Sequence, residues 1–310
     1  MRAALLLSLM FCACGNWSNE DVEYLYALPQ KEALKSQLSD TASTGQGLRH
    51  DPLIGDPVKY YAEAEANSAA FNALVENVLG GLDVLRTIAP TTREPNKRIW
   101  GPWPDDKNPG FDGRAEITKT GDKTYEWKVQ ARKRGTQTFT TIIGGQFVAT
   151  ETLRKGRGTF FFDAVAAHGV YGTTKAKPED PDKVDFGYAT DGDPVIVEID
   201  VKVPQLTVPV RYQLNRYADA AGVFGFTADG LPDPNATKIS AIYSWNAQRA
   251  GRIVYTVLAG NYAGAMAEQC WNTDQKVVFE FGNWAGGPNA GNRSDCAEVA
   301  AYKDLPAFPP

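Results

Sequence analysis

Hydrophobic and polar positions alternate with a period of two along much of the chain after Pro90. In residues 194–203, valine and isoleucine occupy every second position, and Glu198, Asp200 and Lys202 lie between them. Such alternation predicts half-buried β-strands, and the Gly-Asp turns between several segments predict hairpins. We expect strands over residues 114–119, 123–131, 137–148, 157–163, 183–190, 194–203, 208–214, 222–227, 239–247, 251–260 and 276–284.

A helical period characterises residues 57–88, where apolar residues recur every three or four positions. The apolar stripe comprises Phe71, Leu74, Val75, Val78, Leu82 and Leu85. This spacing predicts one long amphipathic helix, with Asp56 as its N-cap and Pro57 in its first turn. Gly80-Gly81 lowers the helix propensity near the end and could bend the last turns. The stripe must be buried against another part of the chain.

Amphipathic strands bury only one face of the sheet that they form. A meander of about ten to twelve such strands must therefore curl or split into two layers. We predict a mainly β (α+β) fold, an antiparallel β half-barrel or barrel of about 10–12 strands with the long N-terminal helix packed on its apolar face. A two-layer sandwich is the remaining alternative. Residues 51–310, with the helix at 57–88, are expected to form this one domain.

The first residues carry a targeting pattern. Arg2 is followed by a short apolar run that reaches Phe11, and small residues surround Cys14. A charged start and a short apolar run predict a secretory signal, and the run is too short to span a bilayer. With Ala13 before Cys14 and Gly15 after it, the pattern resembles a bacterial lipoprotein signal peptide. The resemblance implies removal of residues 1–13 and lipidation of Cys14, as with palmitate. Because no acidic residue follows Cys14, it also implies sorting to the outer membrane.

The segment from residue 14 to residue 50 is polar and interrupted. Ser18 followed by Asp21 can cap a short helix, and a second short helix is expected after Pro29. Residues 39–50 are mainly small and polar. We therefore interpret residues 14–50 as a tether with short helices.

Four cysteines are present in the whole chain. Cys12 belongs to the signal and Cys14 to the lipid anchor, which leaves Cys270 and Cys296. Two remaining cysteines in an exported chain predict one disulfide. Closing that loop could stabilise the fold by about 3 kcal/mol.

Charge and motifs exclude several classes of function. With 32 basic and 37 acidic residues the net charge is −5, which argues against a nucleic-acid partner. No phosphate-binding loop, nucleophile elbow or zinc-protease motif is present. Of the two histidines, His50 falls in the tether and His168 in what we expect to be a turn. We interpret Gly144-Gly145 as a bulge or bend within a strand. We thus expect no catalytic residue, no metal site and no cofactor.

Aromatic residues are the better candidates for ligand contacts. Trp100-Gly101-Pro102-Trp103 joins the helix to the first strand, and Phe161 is the middle residue of a Phe-Phe-Phe run. We consider Trp100, Trp103 and Phe161 as ligand-binding residues. The alternative for the two tryptophans, which we favour, is a buried plug at one end of the sheet, because tryptophan is usually largely buried.

Three short segments resemble lipoproteins of myxobacteria and their relatives. They are Ile99-Trp100-Gly101-Pro102-Trp103, Asp185-Phe186-Gly187-Tyr188 and Glu268-Gln269-Cys270-Trp271. The resemblance implies an envelope lipoprotein and brings no particular activity. In architecture alone, a sheet curled over a helix is similar to the lipoprotein-carrier fold of the LolA and LolB type, which transfers no residue roles.

The sequence therefore favours a non-enzymatic lipoprotein of the cell envelope. We expect it to attach to the membrane by its lipid and to bind an apolar or amphiphilic ligand, or an envelope protein, in its curled sheet. The alternative is a structural or adhesive surface lipoprotein with a solid barrel core. A hydrolase of envelope glycans is a third and weaker hypothesis, because no pair of carboxylates stands out.

Overall fold

The computed structural model describes residues 17–36, 54–56, 58–174, 180–204, 210–231 and 233–307. The signal peptide 1–13, Cys14, His50 and the polar part of the tether lie outside the described residues. The described strands form one antiparallel sheet of fifteen, in which each strand pairs with its neighbours in sequence. This confirms the mainly β fold and the meander.

The helices are α1 (Asn19–Tyr26), α2 (Lys31–Leu34), α3 (Lys59–Leu79), α4 (Leu82–Leu85) and α5 (Ala164–Tyr171). The strands are β1 (Thr92–Glu94), β2 (Lys97–Pro104), β3 (Phe111–Lys119), β4 (Thr124–Lys133), β5 (Thr140–Ala149), β6 (Gly156–Asp163), β7 (Lys183–Ala189), β8 (Val195–Lys202), β9 (Val210–Arg216), β10 (Gly222–Asp229), β11 (Lys238–Trp245), β12 (Gly251–Ala259), β13 (Met266–Trp271), β14 (Val277–Gly282) and β15 (Asn289–Gly291).

The sheet curls without closing, so the half-barrel is the correct alternative and the closed barrel is not. The predicted strand number was too low. β1 and β15 have three residues each, too few to display a period. β2 contains the Trp-Gly-Pro-Trp segment, whose Gly-Pro pair interrupts the alternation and produces an irregular pairing with β3.

The helices pack on one face of the sheet, which we call the inner face. Phe71 and Val75 of α3 are buried, and the Phe71 ring meets the Phe224 ring of β10 edge to face at a centroid distance of 5.7 Å. The helix predicted over residues 57–88 is observed from Lys59 to Leu79, with Val58 and not Asp56 as its N-cap, and α4 begins after Gly81; Pro57 lies outside the described residues. The Gly-Gly pair therefore breaks the long helix into two, and both pieces bury their apolar stripe.

Residues 17–36 belong to the same packed unit as the sheet. Ser18 caps α1 in a capping box with Asp21, as the sequence predicts. Tyr24 of α1 and Leu34 of α2 are buried in the core cluster. The part of the proposed tether that is described thus folds against the sheet, and the folded unit begins well before residue 51.

The chain after β15 crosses the outer face of the sheet as an extended segment, residues 297–307, which we call the strap. Cys296 immediately precedes the strap and is joined to Cys270 of β13 by a disulfide, as the sequence predicts, with a Cα–Cα distance of 5.5 Å. Asn215 of β9 then exchanges two hydrogen bonds with the backbone of Lys303. Further along, Arg157 of β6 donates to the carbonyl of Ala307. The strap therefore crosses eight successive strands, from β13 to β6, at one end of the sheet.

The expected turn at His168 is wrong, because this residue lies in α5. Asp163 caps the helix through its side chain, and Gly172 ends it in the left-handed conformation with φ 65°. The His168 ring contacts the Thr173 hydroxyl at 2.9 Å. Eight residues of small and apolar type show neither period clearly, which is why the pattern did not indicate this helix.

Candidate functional site

The inner face is completely buried where the helices cover it. One cross-strand row of apolar side chains lies beneath them, and each of its members is 3% exposed or less. This deep row comprises Tyr125, Phe147, Tyr188, Val197, Leu214, Phe224, Tyr243 and Ile253. Tyr24 of α1 packs edge to face on Tyr125. At this end, which also holds the strap, the half-barrel has a solid interior.

Toward the other end of the strands, where α5 lies, the inner face opens. Tyr212, Phe226 and Tyr255 belong to the next row and are only partly buried. In the following row, nearer to the end of the strands, seven apolar side chains are partly exposed. Val184 and Ala228 of the same row are buried. We call the partly exposed residues the apolar rim: Val129, Ile143, Phe162, Val201, Val210, Ile239 and Val257, with Tyr212, Phe226 and Tyr255.

A small cavity of about 120 Å³ lies at one side of the apolar rim. Ile239, Tyr255, Val257 and Ala267 contribute to its wall, together with Trp284. Trp284 follows β14 and is 47% exposed, which is unusual for so large an apolar side chain. The rim thus combines apolar wall residues with an accessible indole.

A second concave site lies on the outer face. It is a groove of about 690 Å³ across β4 to β8, within the size range of small-molecule sites. Two cross-strand rows supply its outward side chains. The first row comprises Glu126, Gln146, Thr159, Gly187 and Glu198, and the second comprises Lys128, Gly144, Phe161, Asp185 and Asp200.

Charged partners hold the carboxylates at one side of this outer groove. Asp185 forms salt bridges with Lys183 Nζ at 2.6 Å and with Lys202 Nζ at 3.0 Å. Asp200 forms one with Arg211 Nε at 2.8 Å. Burial alone would raise the pKa of Asp185, but the hydrogen bonds from both lysines lower it below its usual value. Asp185 and Asp200 lie directly opposite each other on β7 and β8, and each is paired with cationic side chains.

Phe161 is the aromatic residue on the outward side of the groove. A Cβ atom built on Gly144 would lie 3.1 Å from the Phe161 ring, so the ring leans over this glycine. Lys183 Nζ lies 4.9 Å from the ring centroid, a cation–π contact. Gly144 carries no side chain, so the sheet surface is low beneath the ring, whereas the Leu305 side chain of the strap packs over Gly187.

The structure separates the three aromatic residues that the sequence proposed for ligand contacts. Phe161 lines the outer groove, whereas Trp100 lies on β2 in the core cluster with no exposed surface. The Trp100 indole donates to the carbonyl of Ile88 at 2.9 Å, and Trp103 is partly buried against the same core. The buried plug that we favoured for these tryptophans describes Trp100 correctly.

Sequence reasoning missed the other groove residues and the rim. Alternation does place Glu126 and Lys128 on the polar face of β4 and Val257 on the apolar face of β12. It does not give the order and register of strands, which bring Glu126, Gln146 and Thr159 side by side. Nor does it show how far along the strands the helices extend.

Two further observations bear on chemistry. Within the described ranges, no group of three or more His, Cys, Asp or Glu side chains is arranged to hold a metal ion. In the same part of the chain, no helix has both the length and the apolar character to cross a bilayer.

Comparison of the chain with protein-family models, with curated proteins and with solved structures finds no match.

Proposed function

We propose that this chain is a non-enzymatic lipoprotein of the bacterial cell envelope, anchored at the outer membrane through Cys14, that binds an apolar or amphiphilic ligand at the apolar rim. One observation carries the proposal. The apolar side chains of the inner face are fully buried beneath the helices, whereas those at the other end of the same face keep accessible surface. An apolar surface on the concave side of a sheet is typical of ligand-binding sites.

The size and shape of the rim favour an elongated ligand. It extends across the strands from β4 to β12. With neighbouring strands about 4.8 Å apart, this path is roughly 38 Å along the curl. A ligand that covered it would gain about 25 cal/mol for each Å² of apolar surface removed from water. An acyl chain has the necessary length and apolar character, and a polar headgroup could stay in solvent at the open end.

A solid scaffold is the second candidate, and the deep row favours it. The helices α1 and α3 pack directly on the deep row, so no ligand has room at that end of the inner face. In this alternative the molecule would present its outer surface to an envelope partner, and the rim would be covered by that partner. The two candidates differ in whether the purified protein binds an apolar probe.

A glycan hydrolase is less well supported. Such enzymes need one carboxyl group whose raised pKa lets it act as a general acid. In the outer groove the pKa of Asp185 is shifted in the opposite direction by Lys183 and Lys202. Asp185 is therefore poorly suited to donate a proton near neutral pH.

The rim can be tested with a fluorescent apolar probe, N-phenyl-1-naphthylamine. Val257 points to the rim, whereas its neighbour Leu258, the extra residue at the irregular pairing of β11 with β12, is 46% exposed and does not line the rim cavity. We expect the wild-type protein to enhance probe fluorescence. Val257→Asp should weaken binding at least tenfold because a charge then enters the apolar site, and Leu258→Asp should bind as the wild type does.

A protein that fails to fold would also lose the probe, so Val257→Thr provides a milder change with nearly the same shape. Its far-ultraviolet circular dichroism should match the wild type while its affinity falls. Absence of probe binding by the wild-type protein, or equal losses in Val257→Asp and Leu258→Asp, would reject the rim as the binding site and favour the scaffold.

The anchor is tested separately, by metabolic labelling with a palmitate analogue in a bacterial host. We expect the label on the wild-type chain and none on Cys14→Ala. Labelling of Cys14→Ala would reject the lipid anchor and would leave the rim proposal unaffected, because the two rest on different residues.

A further inference from the structure

We infer that the outer groove is a second binding site, independent of the apolar rim, and that it takes an uncharged or amino-substituted saccharide. The groove lies on the opposite face of the sheet from the rim, so both sites could be occupied at once. The inference rests on unpartnered polar groups in register, on an aromatic ring above a glycine floor, and on the sign of the charge.

The polar groups of the first row are arranged to receive hydroxyl groups. Glu126, Gln146 and Thr159 are directly opposite one another on β4, β5 and β6. In the part of the chain that the structure describes, none of these three side chains makes a hydrogen bond or ion pair with protein. Together they offer carboxylate oxygens that accept hydrogen bonds, an amide that both donates and accepts them, and a hydroxyl group. Their spacing is that of neighbouring strands, about 4.8 Å, which is comparable with the length of one pyranose unit.

Phe161 supplies the apolar part of the site. Its ring leans over Gly144 on β5, and Gly187 lies diagonally across on β7, where the Leu305 side chain of the strap packs over it. Aromatic rings pack well against flat, weakly polar C–H surfaces. A pyranose ring presents such a surface on its faces and hydroxyl groups on its edges. A pyranose ring therefore fits a groove that has an aromatic ring at its base and hydrogen-bond acceptors along one side.

The charge of the groove selects among polar ligands. Four carboxylates line it, those of Glu126, Asp185, Glu198 and Asp200, against one lysine, Lys128. Asp185 and Asp200 have cationic partners outside this set, but Glu198 has only the amide of Gln213. Lys183, Lys202 and Arg211 are already paired with Asp185 and Asp200, so a polyanion would gain no free cation from them and would meet the carboxylates of Glu126 and Glu198. Neutral sugars, or sugars with an amino group, meet acceptors without repulsion.

The test is isothermal titration of the full folded chain with three tetrasaccharides: cellotetraose, N-acetylated chitotetraose and its de-acetylated form. A heparin tetrasaccharide serves as the anionic comparison. We expect at least one of the first three to bind and heparin not to bind. Phe161→Ala should weaken that binding at least tenfold. Phe281→Ala, which removes a partly buried ring from the outer face of β14, should leave it unchanged.

A second variant separates loss of the site from loss of the fold. Glu126 is exposed, and Gln146 has no protein partner, so the double variant Glu126→Gln/Gln146→Ala should fold normally and still bind at least tenfold more weakly. Val257→Asp, if folded, should retain the saccharide, because the rim is on the other face. Failure of all three saccharides to bind at about 10 mM, or equal losses with Phe161→Ala and Phe281→Ala, would overturn the inference. Binding of heparin alone would do the same.

Discussion

At the scale of single residues, the charge cluster around Asp21 fixes α1 to the edge of the sheet. Asp21 is fully buried, and Arg98 of β2 is almost as buried, with its Nε 2.8 Å from Asp21 Oδ1. Arg93 Nη2 lies 2.9 Å from the other carboxylate oxygen. Burial alone would raise the pKa of Asp21, but hydrogen bonds from Arg93, Ser18 and Arg98 lower it to about 2. The same carboxylate therefore caps a helix and neutralises a buried guanidinium.

Replacement of Asp21 by asparagine should reduce the free energy of unfolding by about 3 kcal/mol at pH 7, because the buried Arg98 then relies on Glu20, whose side chain is 57% exposed, for its counter-charge. A carboxyl group whose folded pKa lies below its unfolded value stabilises the fold above the unfolded pKa, near 3.8, and loses this effect as the pH falls through the folded pKa. The difference between wild type and Asp21→Asn should thus narrow by about 2 kcal/mol between pH 5 and pH 2.

Urea denaturation followed by tryptophan fluorescence at pH 7, 5, 3 and 2 measures this difference. Asp83→Asn is the matched control, because Asp83 pairs with Lys31 and Arg86 on an exposed surface. It should cost less than about 1 kcal/mol. Equal losses of unfolding free energy from the two substitutions would show that the buried ion pairs of Asp21 stabilise the fold no more than the ion pairs of Asp83 do.

At the scale of elements, β5 shows how glycine shapes both faces of the sheet. Gly144 faces the outer groove and Gly145 faces the core. The sequence suggested a bulge or bend at this pair, but β5 runs through it without interruption. The irregular pairing occurs nearby, between Val129 and Gln130 of β4, where Ile142 is the extra residue on β5. The glycines instead make room for Trp127, Phe160 and Phe161.

Gly145→Ala should destabilise the protein by about 1–3 kcal/mol. A Cβ atom at this position would lie 2.5 Å from the carbonyl oxygen of Thr159, which is backbone and cannot rotate away. Gly113→Ala is the control, because the nearest atom to a Cβ there is 3.9 Å distant. Thermal unfolding of both variants by circular dichroism gives the comparison. A Gly145→Ala variant as stable as Gly113→Ala would mean that β5 and β6 can separate at little cost.

At the scale of the whole molecule, the strap holds the outer face together. Outward side chains on four neighbouring strands are buried at that end of the sheet: Ala189, Ile196, Asn215 and Val223. The strap passes over these strands through its contacts with Asn215, Gly187 and Arg157. Because the disulfide ties the start of the strap to β13, its effect should extend beyond the loop that it closes.

Cys296→Ser should lower the free energy of unfolding by about 3.5 kcal/mol, since the disulfide closes a loop of 26 residues in the unfolded chain. Wild-type protein unfolded in urea with dithiothreitol should show the same loss. Hydrogen exchange should also become faster over β9 and β10, where the strap covers Asn215 and Val223. Unchanged exchange there would mean that the hydrogen bonds between the strap and the sheet, such as those of Asn215 and Arg157, hold the strap in place without the disulfide.

The periods of two and three to four were sufficient to assign the strand-rich region, the apolar helical stripe and the cap at Ser18, because each depends on residues close in sequence. The disulfide could be assigned because the sequence analysis left only two cysteines to pair. The pattern missed α5, and it missed β1 and β15, because short elements show too little of any period. It also did not exclude Trp100 from ligand binding, since the burial of this side chain depends on strands far away in sequence.

Local chemistry along the chain dictates that most of the strands have one apolar face and that the helix must cover such a face. It does not dictate that the sheet stays open, that α1 to α4 stop before the apolar rim while α5 lies at that end, or that the strap returns across the outer face. Those features depend on the length of the strands relative to the helices and on contacts between residues distant in sequence. For the same reason, the register that aligns Glu126, Gln146 and Thr159 in the outer groove came from the folded arrangement of β4, β5 and β6.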